Sequence, residues 1–216
     1  MSSVACDFSL DHYRSLLRAA GEGGYRWAGF DTAPEAGALI LRHDVDLSLE
    51  AALAMAEVEA EEGAWSTWFL MTRSVFYNLA SPAGAAAIER LRALGHRIAH
   101  HAVWPDVDLD ERFERTVAWH NPDRAYMQAS IPAAVNVMRP PFFDPDRYRS
   151  DSNQTWRHGC PHDELARGAF EWLQLLIHPE IWVFPGATMG ETMAAFLDAD
   201  RAVRLARLRA DRIDLA

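Results

Sequence analysis

The chain has 216 residues, 50% hydrophobic and 24% charged, a composition that suits a single folded domain and excludes long disorder. Asp and Glu outnumber the basic residues 31 to 21, and every basic residue is an arginine, so the formal charge of −10 offers no basic field for nucleic acid or an anionic membrane and no lysine for Schiff-base chemistry. Cys6 and Cys160 are too far apart in sequence to make a disulfide framework or a cysteine-based zinc motif, and Met1 to Asp7 lack the basic start and apolar core of a signal peptide, so a reducing, cytoplasmic setting is expected.

From Ser9 to Ala20, Leu10, Tyr13, Leu16 and Leu17 recur at helical spacing, with Ser9 as N-cap and Gly21 as stop. A Gly- and Pro-rich loop follows, with a short extended piece around Tyr25 to Phe30. The apolar run Ala38-Leu39-Ile40-Leu41 predicts a buried strand that delivers Arg42-His43-Asp44-Val45-Asp46 at its end. Ser48 to Glu61 predicts a helix stopped by Gly63, Ser66 to Met71 a strand, Ala83 to Leu94 a helix ended by Gly95, and Arg97 to Val103 a third strand. This alternation points to parallel βαβ units. Helices are expected across Asp110 to Trp119 and near Asp123 to Gln128, then a short strand over Val135 to Met138 before Pro140-Pro141. Trp172 to Ile177 reads as a strand halted by Pro179, and Thr188 to Leu208 as a long surface helix.

Five places can carry chemistry. On an extended strand Asp44 and Asp46 share a face, so one carboxylate can hold a metal and its neighbour a proton; a plain helix cap needs only one acid and leaves His43 unexplained. In Gly95 to His101, His96 and His100 stand about 13 Å apart on a strand, too far to share one ion, and only one of His100 and His101 can face Asp46. In Met138-Arg139-Pro140-Pro141-Phe142, two prolines fix the backbone around an arginine able to clamp and orient Asp44. Tyr148-Arg149-Ser150-Asp151-Ser152, followed by Trp156, reads as a polar turn with an aromatic anchor, and Leu176-Ile177-His178 places a proton-exchanging group at a strand end.

In order and spacing these five motifs resemble the polysaccharide deacetylase family, carbohydrate esterase family 4, over about Phe8 to Trp182. The split His-Asp-Val-Asp form is similar to a divergent branch of that family. The resemblance implies an α/β fold, a distorted and incomplete (β/α) barrel of about seven parallel strands, with residues 1–216 forming one domain. It implies a hydrolase of linear amide C–N bonds in which Asp44 is the base, Asp46 and His101 are metal ligands, Arg139 orients Asp44, and His178, held by Asp151, is the general acid. The cofactor is expected to be a divalent ion, Zn2+, and the oxyanion is expected to find a further donor in a backbone N–H near Phe142. Tyr77, Trp104, Phe142 and Trp156 are expected to line the substrate pocket. One departure stands out: the family's second metal histidine, four residues after His101, is replaced by Pro105. His43, Asp106, Asp108 and His120 are open as the third ligand, with His162 as a further possibility. The expected substrate is an N-acylated sugar or sugar-like small molecule of a biosynthetic pathway, with no nucleic-acid or membrane partner. The alternatives are a catalytically silent binding domain and a non-hydrolytic enzyme that reuses Asp44 and His178.

Overall fold

A computed structural model describes residues 6–213. Helix α1 (Leu10–Glu22) begins where Ser9 Oγ accepts the His12 amide at 3.1 Å, and it runs past Gly21 with Tyr13, Leu16, Leu17 and Ala20 buried. Strands β1 (Arg26–Ala28) and β2 (Ala38–Val45) follow, the latter buried along its whole length. Helix α2 (Leu49–Glu61) is capped by Ser48, whose Oγ accepts the Ala51 amide, and the turn after it uses Gly63 at φ +68°. Next come β3 (Thr67–Leu70), α3 (Pro82–Ala93), β4 (Arg97–Ala102), β5 (Thr116–Trp119), β6 (Val135–Asn136) and β7 (Tyr148–Ser150). The chain then forms a short α4 (His162–Ala166), β8 (Trp172–Ile177), α5 (Pro179–Val183) and the long α6 (Met189–Ala210). None of the described helices is long and apolar enough to cross a membrane.

All strand pairs are parallel, in the order β6-β5-β4-β3-β2-β8-β7, with β1 joined to the start of β2 on the edge that β3 takes further along. The sheet is open and curled into a half-barrel, the incomplete barrel expected from the sequence, with β1 added to the seven strands of the main path. Because every strand runs the same way, the carboxyl ends of β2, β4, β5 and β8 share one rim, where sheets of this kind bind ligands.

Side chains alternate between two cores. Leu39, Leu41, Val45, Trp68, Leu70, Ile98, Leu173, Leu175 and Ile177 pack outward against α1, α2, α3 and α5. Ile40, Phe69, Ala99, Ala118 and Val137 form the smaller interior core with Phe30, Met138 and Phe142. Continuing the interior rows to the rim brings Arg42, Asp44 and Asp46 from β2, His101 from β4, His120 just beyond β5, and His178 just beyond β8 into one cleft.

The expected helix across Asp110 to Trp119 is instead a strand at its carboxyl half. Thr116-Val117-Ala118-Trp119 is β-branched and aromatic, is buried on both faces and pairs with β4 through His101↔Ala118, so a two-sided sheet environment overrides the helical spacing of its apolar residues. Residues 124–128 are turns, not helix, tied by amides donating to Asp123. Tyr148–Ser150, inside the stretch read as a polar turn, forms the edge strand beside β8.

Candidate metal centre and acid–base cleft

Asp46, one residue past β2, accepts at Oδ1 from two histidines: His101 Nε2 and His120 Nδ1, each at 3.0 Å. The two nitrogens are 3.1 Å from one another, so three ligating atoms form a nearly equilateral triangle. Neighbouring ligands around an ion with bonds near 2.1 Å stand about 3.0–3.4 Å apart, so the triangle fits one face of a coordination sphere. The tautomers suit it as well. His101 Nδ1–H donates to the Ala118 carbonyl at 3.1 Å, so release of the Nε2 proton that Asp46 accepts leaves a neutral ring with its lone pair turned toward Asp46. His120 Nε2 lies 3.3 Å from the Asn121 side-chain nitrogen, and turning that amide over brings its oxygen in to accept an Nε2 proton and frees Nδ1. Burial alone would raise the Asp46 carboxyl, but hydrogen bonds from His101 and His120 hold it far below the carboxylate range.

Of the residues open as a third ligand, His120, just beyond the next strand of the sheet, is the one that lies beside Asp46 and His101. His43 points to the opposite face, where Nε2 lies 2.5 Å from Glu59 and the ring stacks on Trp68 at 3.9 Å. Asp106 and Asp108 are exposed and face Arg73, at 4.0 and 3.5 Å. His162 opens α4 and lies beside His12, outside the cleft. As expected, His100 and His96 have other work: His100 Nε2 accepts the Asp110 amide at 2.8 Å, and His96 Nε2 donates to the Ala56 carbonyl at 3.1 Å.

Asp44 is clamped by an arginine, but not by Arg139. Arg42 Nε and one of its terminal nitrogens meet the two Asp44 oxygens at 2.8 and 2.6 Å in a bidentate fork, with both residues buried. Arg42 is in turn held by Gln174 Oε1 at 3.2 Å and lies over the Phe69 ring. Arg139 is exposed on the turn after β6 and does not line the cleft, because residues two apart on one strand meet without any help from a distant loop. Burial would push the Asp44 carboxyl up, and Arg42 and then His101 offset it, so the group stays ionised below its ordinary range. On the other wall, Asp151 is fully buried and accepts the His178 amide at 3.0 Å, His178 Nδ1–H at 2.6 Å and Trp182 Nε1–H at 2.7 Å. Burial disfavours the charged imidazole, but the Asp151 carboxylate outweighs it, and the His178 pKa is pushed up to about 10. With Nδ1 engaged, Nε2 is the nitrogen left for the cleft.

None of the four aromatics expected in the pocket lines this cleft. Tyr77 accepts the Met71 amide and donates to the Val45 carbonyl at 2.7 Å, bracing the ends of β2 and β3. Trp104 stacks on Tyr126 at 4.9 Å, and Phe142 belongs to the interior core. The Phe142 amide is already bonded to the Arg139 carbonyl at 3.0 Å, which removes it as an oxyanion donor. Trp156 donates from Nε1 to Cys6 Sγ. Arg42, Gln174 and Trp182 are the supporting residues that the sequence reading missed. For Arg42 and Gln174 the period-two spacing to Asp44 and His178 was the available signal.

No protein-family model matches the chain, and neither the curated proteins nor the solved structures contain a match. The resemblance to polysaccharide deacetylases therefore rests on the sequence motifs alone.

Proposed function

We propose that the protein is a metal-dependent amidohydrolase that removes an N-acyl group, acetyl foremost, from an amine on a sugar or sugar-like small molecule. The observation that carries this reading is the convergence of Asp46, His101 and His120 within 3.0–3.1 Å in a cleft shared with two oppositely charged, separately clamped groups, Asp44 and His178. A Zn2+ ion held by the Asp-His-His set would supply Lewis acidity toward an amide carbonyl and a lowered pKa for water. The proton work falls to the chain's own residues. Asp44, kept ionised by Arg42, accepts the proton of the attacking water. His178 carries a proton at neutral pH and donates it from Nε2 to the departing nitrogen, which an amide needs in order to leave as an amine. A cleft volume of about 160 Å³ accommodates an acyl group and its amide, with the remainder of the substrate lying across the rim.

The test joins metal analysis with product release. Protein carrying about one equivalent of Zn2+ at this site should release acetate from a panel of N-acetylated amino sugars, and Asp44→Asn and His178→Ala should each lose about 10²-fold or more. A metal-stripped protein that keeps full activity, or an Asp44→Asn variant that does, would sink the hydrolytic reading.

A further inference from the structure

A second set of metal-ligating side chains lies outside the cleft. Cys6, in the segment before α1, His12, in the first turn of α1, and Cys160, in the loop before α4, place their ligating atoms within 4.8 Å of one another. His12 Nε2 is 3.2 Å from Cys160 Sγ. His12 is buried, its ring parallel to Trp182 at 6.1 Å, so the imidazole is held rather than free to swing. Trp156 Nε1–H donates to Cys6 Sγ at 3.3 Å, the kind of outer-shell bond that steadies a thiolate ligand. A cavity of about 550 Å³, lined in part by Cys6, Trp156, Cys160 and His162, gives the cluster an entry path.

We propose that Cys6, His12 and Cys160 form a second metal site, selective for a thiophilic closed-shell ion of the Zn2+ type, with the fourth position open to this cavity. Two sulfurs and an imidazole are a softer donor set than the oxygen and two nitrogens of the Asp46 centre, so thiophilic ions favour this site over the other. The sequence spacing of the two cysteines gave no hint of this, because the ligands come from distant parts of the chain. Bound metal ties the N-terminal segment and α1 to the loop that carries Trp156, a staple that closes a long stretch of chain.

Cobalt distinguishes the sites, since only thiolate ligands give an intense near-ultraviolet charge-transfer band. Titrating the reduced, metal-free full chain with Co2+ should produce that band, saturating at about one equivalent and displaced by Zn2+. Cys160→Ser and Cys6→Ser should each abolish it, while His120→Ala, which damages the Asp46 centre, should leave it intact. Absence of the band in the wild type, or its survival in both serine variants, overturns the proposal. On the unmutated chain, free Zn2+ at about tenfold above Kd should slow iodoacetamide labelling of both thiols by roughly tenfold. An unchanged labelling rate overturns it too, as does a Cys6–Cys160 disulfide whose reduced form binds no metal.

Discussion

Arg42 and Asp44 stand two residues apart on β2, and strand alternation alone puts both on the interior face, where each is buried and each is the other's principal partner. Removing one member of such a pair strands the other, so Arg42→Met should destabilise the fold by about 3–5 kcal/mol in urea unfolding. The exposed Arg139, changed to Met, should alter stability by no more than about 0.5 kcal/mol and should leave turnover near the wild-type value. The His178 imidazolium is faced by Asp151, Asp44 and Glu180, and Asp151 is its strongest support. Asp151→Asn should therefore drop the His178 pKa from about 10 toward the ordinary ~6.5 and move the alkaline limb of the kcat profile down with it. An alkaline limb that stays put would remove His178 as the acid. The same pair was visible in the sequence as two motifs, but nothing in the spacing of Asp151 and His178 required their contact.

Among the elements, β5 matters most for the site and was the hardest to read. Its four residues fall inside the helix expected across Asp110 to Trp119, and a helix there does not deliver His120 to the rim beside Asp46. Burial on both faces removes the alternation by which an exposed strand announces itself. Ala118 sits at the centre of this strand, fully buried in the interior core, and its carbonyl accepts His101 Nδ1–H. Ala118→Leu should overpack that core by about 1–3 kcal/mol and should also weaken metal binding at the Asp46 centre, measurable by competition with a chromophoric chelator. Helix α2 shows the opposite case. Its span was legible from local chemistry, but its buried Glu59, which accepts from Tyr13 at 2.6 Å and Ser66 at 2.5 Å and pairs with His43, was not. That node explains His43, which supports the sheet from behind, on the face opposite Asp46, His101 and His120.

At the scale of the whole molecule, the buried titratable groups set a pH dependence of stability. Folded His178 holds its proton to about pH 10, whereas an unfolded histidine releases it near ~6.5. Glu180, almost fully buried with one carboxyl oxygen lacking a partner, is pushed up by burial to about 8, against ~4.3 unfolded. The folded chain thus binds more protons than the unfolded chain through and above neutrality, so stability falls as pH rises. The His178 share is complete below about pH 6.5 and gone above about pH 10; the Glu180 share is complete below about pH 4.3 and gone above about pH 8. The urea midpoint of metal-free protein should decline from about pH 6 to pH 9, and Glu180→Gln should flatten the part of that decline below about pH 8. A midpoint that rises over this range would contradict both assignments. The amino-acid sequence by itself determined α1 with its Ser9 cap, α2, α3 and α6, the parallel α/β class, and the facing of Asp44 and Asp46, because each depends on residues a few positions apart. Only the tertiary structure decided that His120 lies beside Asp46 and His101, that Arg42 takes the place expected of Arg139, and that Cys6, His12 and Cys160 meet. Those outcomes depend on strand register and on which segments close over which, and contacts between distant parts of a chain leave no period to read.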